Sequence, residues 1–168
     1  YTIIWGNSVA TASNYNGLNP SDVSVINIDD ESAGFMVSAI SGNTKEAGDS
    51  ANFTVKLTSQ PTANVTIAII SSDTTEGAVS TSSLTFTPSN WNAAQKVTVV
   101  GLNDNVADGN QPFTIITGAA VSADMNYHGL NPADVYVTNV DDESAGFTIS
   151  SISNNTTEIG GTATFTVK

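Results

Sequence analysis

The sequence predicts an all-β chain, an antiparallel β-sandwich of about seven short strands per unit, and three observations lead there. Apolar residues recur at every second position over stretches of four to eight residues, as in Phe53, Val55 and Leu57 or Val65, Ile67 and Ile69. Turn-forming Gly, Pro, Asn and Asp separate these stretches, and no long window carries a helical period. Ser, Thr and Asn make up 60 of 168 residues while only 12% are charged, a composition that favours strands and irregular loops over helices.

An internal repeat sets the boundaries. Asn14-Tyr15-Asn16-Gly17-Leu18-Asn19-Pro20 returns as Asn126-Tyr127-His128-Gly129-Leu130-Asn131-Pro132, and Asp29 through Phe35 returns unchanged as Asp141 through Phe147. Both are offset by 112, and residues 1–56 laid on 113–168 share 34 of 56 positions without a gap. The expected layout is the C-terminal part of a preceding repeat at 1–33, one complete repeat at 34–145, and the N-terminal part of a following repeat at 146–168. Such a chain reads as a piece of a longer tandem array.

Within the complete repeat the elements follow in order. Phe35 to Ile40 is a short strand ended by Ser41-Gly42-Asn43. Ala51 to Thr58 alternates, with Phe53, Val55 and Leu57 facing one way and Asn52, Thr54 and Lys56 the other. Gln60-Pro61 breaks it, and Val65, Ile67 and Ile69 mark the next strand. Asp73 to Gly77 is a turn, Leu84 to Phe86 a brief strand stopped by Pro88, and Val97 to Gly101 another before Asn103-Asp104-Asn105. Phe113 to Thr117 and Val135 to Val140 complete the set, joined by a long connection over 119–134.

Charge and composition exclude several functions. Four Lys+Arg against 16 Asp+Glu, with no arginine and a net charge of −12, leave no basic surface for nucleic acid or for anionic membranes. The absence of cysteine removes disulfides, thiolate metal sites and a cysteine nucleophile. No apolar run approaches the roughly 20 residues of a membrane-spanning helix, so this segment is not expected to insert. The Thr/Ser/Asn-rich, lysine-poor surface suits an extracellular or cell-surface protein.

The acidic residues gather at the ends of strands. Glu46, Asp73 with Glu76, Asp104 with Asp108, and Asp141-Asp142-Glu143 all lie in loops or at strand ends. Loops of a sandwich cluster at its two poles. If Glu46, Asp73, Asp104, Asp108, Asp141 and Asp142 converge, their mutual repulsion demands either raised pKa values or a cation. Calcium suits such a site, since it takes about 6–8 oxygen ligands and tolerates irregular loops. Imidazole and thiolate, which transition metals prefer, are nearly absent. Two readings stay open here: a shared cation, or solvated acids that form turns through their own side chains. Asp22 and Asp134, beside Asn-Pro, fit the turn reading, and Asp49 and Asp124 lack an acidic counterpart in the other copy.

Glu46-x-Gly48, Phe53-Thr54-Val55-x-Leu57, Ser72-Asp73-Thr74-Thr75-Glu76-Gly77, Leu84-Thr85-Phe86-Thr87-Pro88 and Asp141-Asp142-Glu143, in that order, resemble Calx-β domains. Asn103-Asp104-Asn105-x-x-Asp108-Gly109-Asn110 stands where that family has its acidic loop. The resemblance covers the whole 112-residue unit except for the 127–132 connection. It implies a seven-stranded sandwich that binds calcium at one pole near the junction with the next module. Carried over by position, it implies Glu46, Asp73, Asp104, Asp108, Asp141 and Asp142 as ligands. Asn103, Asn105 and Asn110 stand where acids are common in the family, which implies fewer ions or weaker binding. The context implied is a large extracellular, bacterial adhesin-type protein made of tandem repeats.

The expected role is therefore a calcium-rigidified spacer or stalk of a cell-surface adhesin or filament, with neighbouring repeats as partners and no enzymatic activity. His128 is the sole imidazole and its counterpart is Asn16, which gives a catalytic triad no support. Trp5, Trp91 and four tyrosines are too dispersed to line a sugar cleft, and Trp91 is expected to cap an edge of the core. The Asn-x-Thr matches at Asn52, Asn64 and Asn154 are what chance supplies in such a composition. Two alternatives accompany the main reading. One is a glycan- or protein-binding adhesive module; the other is a self-assembling fibre subunit completed by strands from neighbouring chains.

Overall fold

A computed structural model describes residues 1–168, and it contains strands and turns but no helix. It divides into two compact units, Tyr1–Ser32 and Ala33–Lys168. The first unit holds β1 (Thr2–Ile3) and β2 (Val23–Ser24), an antiparallel pair with Thr2 opposite Ser24 and Ile3 opposite Val23.

The second unit is an all-β sandwich. Its first sheet has the order β3-β5-β9-β7, from β3 (Phe35–Val37), β5 (Ser50–Leu57), β9 (Gln95–Gly101) and β7 (Gly77–Val79), all antiparallel. The second sheet runs β11-β6-β10-β12-β4, with β8 (Ser83–Phe86) also paired to β6 (Val65–Ser71). Its other members are β10 (Gln111–Thr117), β11 (Val121–Ser122), β12 (Val135–Val140) and β4 (Thr44–Lys45). The pairing of β4 with β12 is parallel, Thr44 beside Asn139 and Lys45 beside Val140; every other pair in the sheet is antiparallel.

The alternation read in the sequence is the burial pattern. Phe53, Val55 and Leu57 of β5 and Val97 and Val99 of β9 face Val65, Ile67, Ile69, Phe86, Phe113, Ile115, Val135 and Val137 of the opposing sheet in one core. Removing that apolar surface from water, at about 25 cal/mol per Å2, is what holds the two sheets together. Trp91 is half-buried and packs against the core's edge, as expected of a cap. All seven predicted strands form. Three short ones, β4, β7 and β11, are additional, and each rests on sheet pairing to a longer strand rather than on a periodic run of its own.

The connection over 119–134 is fixed locally. Ala120 N–H donates to the Leu130 carbonyl (2.8 Å), Gly129 N–H to that of Ala120 (2.8 Å) and Tyr127 N–H to that of Asp124 (3.1 Å). Gly129 sits at φ 81°, in the left-handed region where a side chain is strained. The same three bonds recur 112 residues earlier as Ser8 to Leu18, Gly17 to Ser8 and Tyr15 to Ala12, with Gly17 at φ 84°. Ser150 to Thr166 and Ser153 to Thr164 likewise repeat Ser38 to Thr54 and Ser41 to Asn52. Local geometry thus follows the repeat even where a core is lacking: Phe53 is 1% exposed and its counterpart Phe165 59%.

Candidate metal centre

One end of the sandwich collects acids from four segments. Glu46 follows β4, where its own N–H donates to the Val140 carbonyl (3.1 Å). Glu76 precedes β7, and its carbonyl receives Leu102 N–H (3.0 Å), which ties that turn to the end of β9. Gly77 packs against the Phe113 ring, where an added Cβ would sit 2.3 Å from it, and Glu76 beside it is buried. Asp104 and Asp108 occupy the loop after β9, with Asp104 Oδ1 accepting Val106 N–H (2.6 Å). Glu143 lies three residues beyond β12, in the linker.

Two groups result, each with carboxylate oxygens within 4.8 Å of one another: Glu46, Asp104 and Glu143, and Glu76, Asp104 and Asp108. Asp104 belongs to both. Glu46 is only 2% exposed, and neither its Oε2 nor the Oε2 of Glu143, both buried, has a hydrogen-bond donor. Buried carboxylate oxygens without donors are rare because the desolvation is uncompensated. The Glu46 pKa accordingly rises from its ordinary 4.5 to about 7. The largest cause is Glu143, with which Glu46 can hydrogen-bond only by keeping a proton that no neighbouring donor supplies; burial follows, then the charges of Glu143, Asp104 and Asp141. Oxygens of ligands on opposite sides of a calcium ion stand about 4.6–5.2 Å apart, twice the usual bond length, so oxygens within 4.8 Å of one another are near enough to share one cation.

The buried amide of Asn139 on β12 underlies both groups. Its Nδ2 donates to Glu76 Oε2 (3.2 Å) and to the Leu102 carbonyl (2.9 Å), and its Oδ1 accepts the Thr44 hydroxyl (3.0 Å). Gly101 permits this packing: a Cβ there would stand 2.3 Å from the Lys45 carbonyl oxygen and 2.4 Å from Asn139 Oδ1.

Of the six residues singled out in the sequence, Glu46, Asp104 and Asp108 come together in these groups. Asp141 adjoins them, its Oδ2 accepting Gly109 N–H (2.7 Å) and its Oδ1 Glu143 N–H (2.9 Å), which braces the acidic loop against the linker. Those two backbone donors, Glu143 first, hold its pKa below the ordinary value. Asp73 is in neither group: it is exposed, and its Oδ1 accepts the hydroxyl (2.5 Å) and N–H (2.9 Å) of Thr75, the side chain first in lowering its pKa. Asp142 is exposed and also lies outside both. Three contributors lie outside the expected ligand set: Glu76 and Glu143, noted only as acids of these loops, and Asn139. For Asn139 a signal existed, since it continues the inward face of Val135 and Val137 as a polar residue, and Asn27 repeats it.

Elsewhere, Lys45 and Asp49 form an exposed ion pair (2.8 Å). Asp124 is buried and accepts the N–H groups of Thr62 (2.8 Å) and Asn126 (3.0 Å), which lower its pKa in that order. His128 is exposed at the tip of the connection.

No family model and no curated protein matches the chain. Among solved structures it is similar to an apo-form Calx CBD1 domain, at 16% identity and TM-score 0.43, over 65% of this chain and 98% of that one. It is also similar to WR4, a C. elegans MSP family member, at 15% identity and TM-score 0.38, over 61% and 97%. Neither likeness is close enough to bear an argument, and the β-sandwich assignment rests on the strand pairing above.

Proposed function

We propose that the chain is a non-enzymatic structural module that holds calcium at one end of its sandwich and serves as a stiff extracellular spacer in a stalk or filament. The observation that carries this reading is the buried, donorless Oε2 of Glu46, set among the carboxylates of Glu143 and Asp104. Glu46, Glu143, Asp104, Glu76 and Asp108 would hold the ion or ions. The ion would supply the positive charge that the −12 chain lacks there. Because Glu143 belongs to the linker, an ion shared with Glu46 would fasten the exit of one repeat to its body. Neighbouring repeats of the same protein are the proposed partners, with 34–145 as the complete unit and 1–33 and 146–168 as parts of adjoining ones.

Melting the full chain with calcium and with a chelator tests this. Free calcium at 100 times its Kd adds about 2.7 kcal/mol to the folded state. At roughly 2.1 cal/mol/K of unfolding entropy per residue, that raises the midpoint of a 112-residue repeat by about 11 °C. An unchanged midpoint would remove calcium from the reading.

The exposed faces at both ends favour a second reading. Ile3, Val23, Phe165 and Val167 are exposed, whereas Ile115, Val135, Phe53 and Val55, 112 residues away, are buried. Segments equivalent to 57–112 would cover them, supplied by the same polypeptide in an array or by a neighbouring chain in a fibre. Sedimentation that stays monomeric across a 100-fold concentration range would exclude the fibre.

A further inference from the structure

We infer that Asn139 is a positioning residue of this cation site, a buried side chain that sets the segments bearing Glu46, Glu76 and Asp104 against one another; the inference rests on the calcium reading above. Its three hydrogen bonds reach three separate pieces of chain. The Thr44 hydroxyl anchors β4 two residues before Glu46. The bond to Glu76 Oε2 holds that carboxylate directly, and the bond to the Leu102 carbonyl anchors the acidic loop two residues before Asp104. Asn139 itself stands four residues before Glu143 on the strand that leads into the linker. Every acid of the Glu46, Asp104, Glu143 group is therefore within four residues of an atom this amide holds or of the amide itself.

The chemistry requires an amide. Two acceptors, a carboxylate and a carbonyl, face one end of the side chain and a hydroxyl donor faces the other, and only Asn or Gln offers donors and an acceptor in that order. An aspartate would set a sixth carboxylate beside the five of the site and directly against Glu76, while an apolar residue would leave the buried Glu76 oxygen and Leu102 carbonyl short of a donor. Asn139 has no exposed surface, and Gly101 leaves the space in which Lys45 and Asn139 meet. In the other copies Asn27 stands at the position of Asn139, Thr156 at that of Thr44 and Glu158 at that of Glu46.

Calorimetric calcium titration of the chelator-stripped full chain tests the inference, with folding checked by circular dichroism. Asn139→Ala should bind calcium about 10- to 100-fold more weakly than the parent, the range for residues that orient metal ligands. Thr44→Val, which removes one of the three bonds, should weaken it about fivefold. Asp124→Asn, buried in the 119–134 connection, should lower the melting midpoint yet bind as the parent does, so lost affinity is separated from lost stability. Parent-like affinity in Asn139→Ala overturns the role of Asn139 alone. Should that variant not fold, parent-like affinity in Thr44→Val does so. A parent that takes up no calcium overturns the site itself.

Discussion

Tyr127→Phe is the most direct probe of how the repeat is clasped. The Tyr127 hydroxyl donates to the Ser59 carbonyl (2.6 Å) and accepts Ser59 N–H (3.2 Å), with Ser59 Oγ at 3.0 Å, so it joins the 119–134 connection to the turn after β5. The ring is 1% exposed and meets Phe35 edge-on at 6.0 Å, a contact that phenylalanine retains. The substitution thus removes only an oxygen and leaves the backbone groups of Ser59 short of a partner. That should cost about 1–3 kcal/mol. With an unfolding entropy of roughly 0.24 kcal/mol/K for a 112-residue repeat, the midpoint should fall by about 4–13 °C. Tyr15→Phe is the matched control: it sits in the same motif and the same local turn, but its ring is 61% exposed and its hydroxyl makes no hydrogen bond, so its effect should stay within about 0.5 kcal/mol. Calorimetry in chelator measures both. Equal shifts for the two variants, or none for Tyr127→Phe, would refute the reasoning.

Other outcomes follow from the same geometry. The metal-free chain should lose stability as pH rises from about 4.5 to 7, because folded Glu46 holds its proton up to about pH 7 while unfolded Glu46 releases it near 4.5; melting scans of Glu46→Gln should lack that slope. Gly101→Ala places a methyl against the Lys45 carbonyl and Asn139 and should destabilise by about 1–3 kcal/mol, read by chemical denaturation. Phe53→Ala should cost about 3–5 kcal/mol, whereas Phe165→Ala, at the exposed equivalent position, should be close to neutral in the same experiment. Asp73→Asn should leave calcium affinity at the parent value in a titration, since that carboxylate is engaged by Thr75.

What the sequence disclosed follows from what each signal depends on. The core strands were legible because alternation is a local property, and Phe53, Val65 and Phe113 each announce their buried face within a few residues. The short β4 and β7 were not, because two or three residues carry no period and become strands only by pairing with β12 and β9. The site was legible as a set of loops and not as a set of ligands. Asp73 and Glu76 are three residues apart, yet the turn they share aims Asp73 at Thr75 and Glu76 at Asn139. In Asp141-Asp142-Glu143, likewise, the first acid binds backbone N–H groups, the second stands in solvent, and the third reaches Glu46. Which way each member of an acidic run turns depends on donors supplied from distant segments, and no spacing within the run records them.

The lone parallel pair gives the repeat a grip on tension. β4 lies near where the chain enters the sandwich and β12 where it leaves, so drawing the two ends apart slides one strand lengthwise past the other. Their paired residues, and the Glu46 N–H bond to the Val140 carbonyl, then share the load at once instead of unzipping singly. Glu46 and Glu143 stand just past the last residues of that pair, so a divalent bolt between them would lie across that seam.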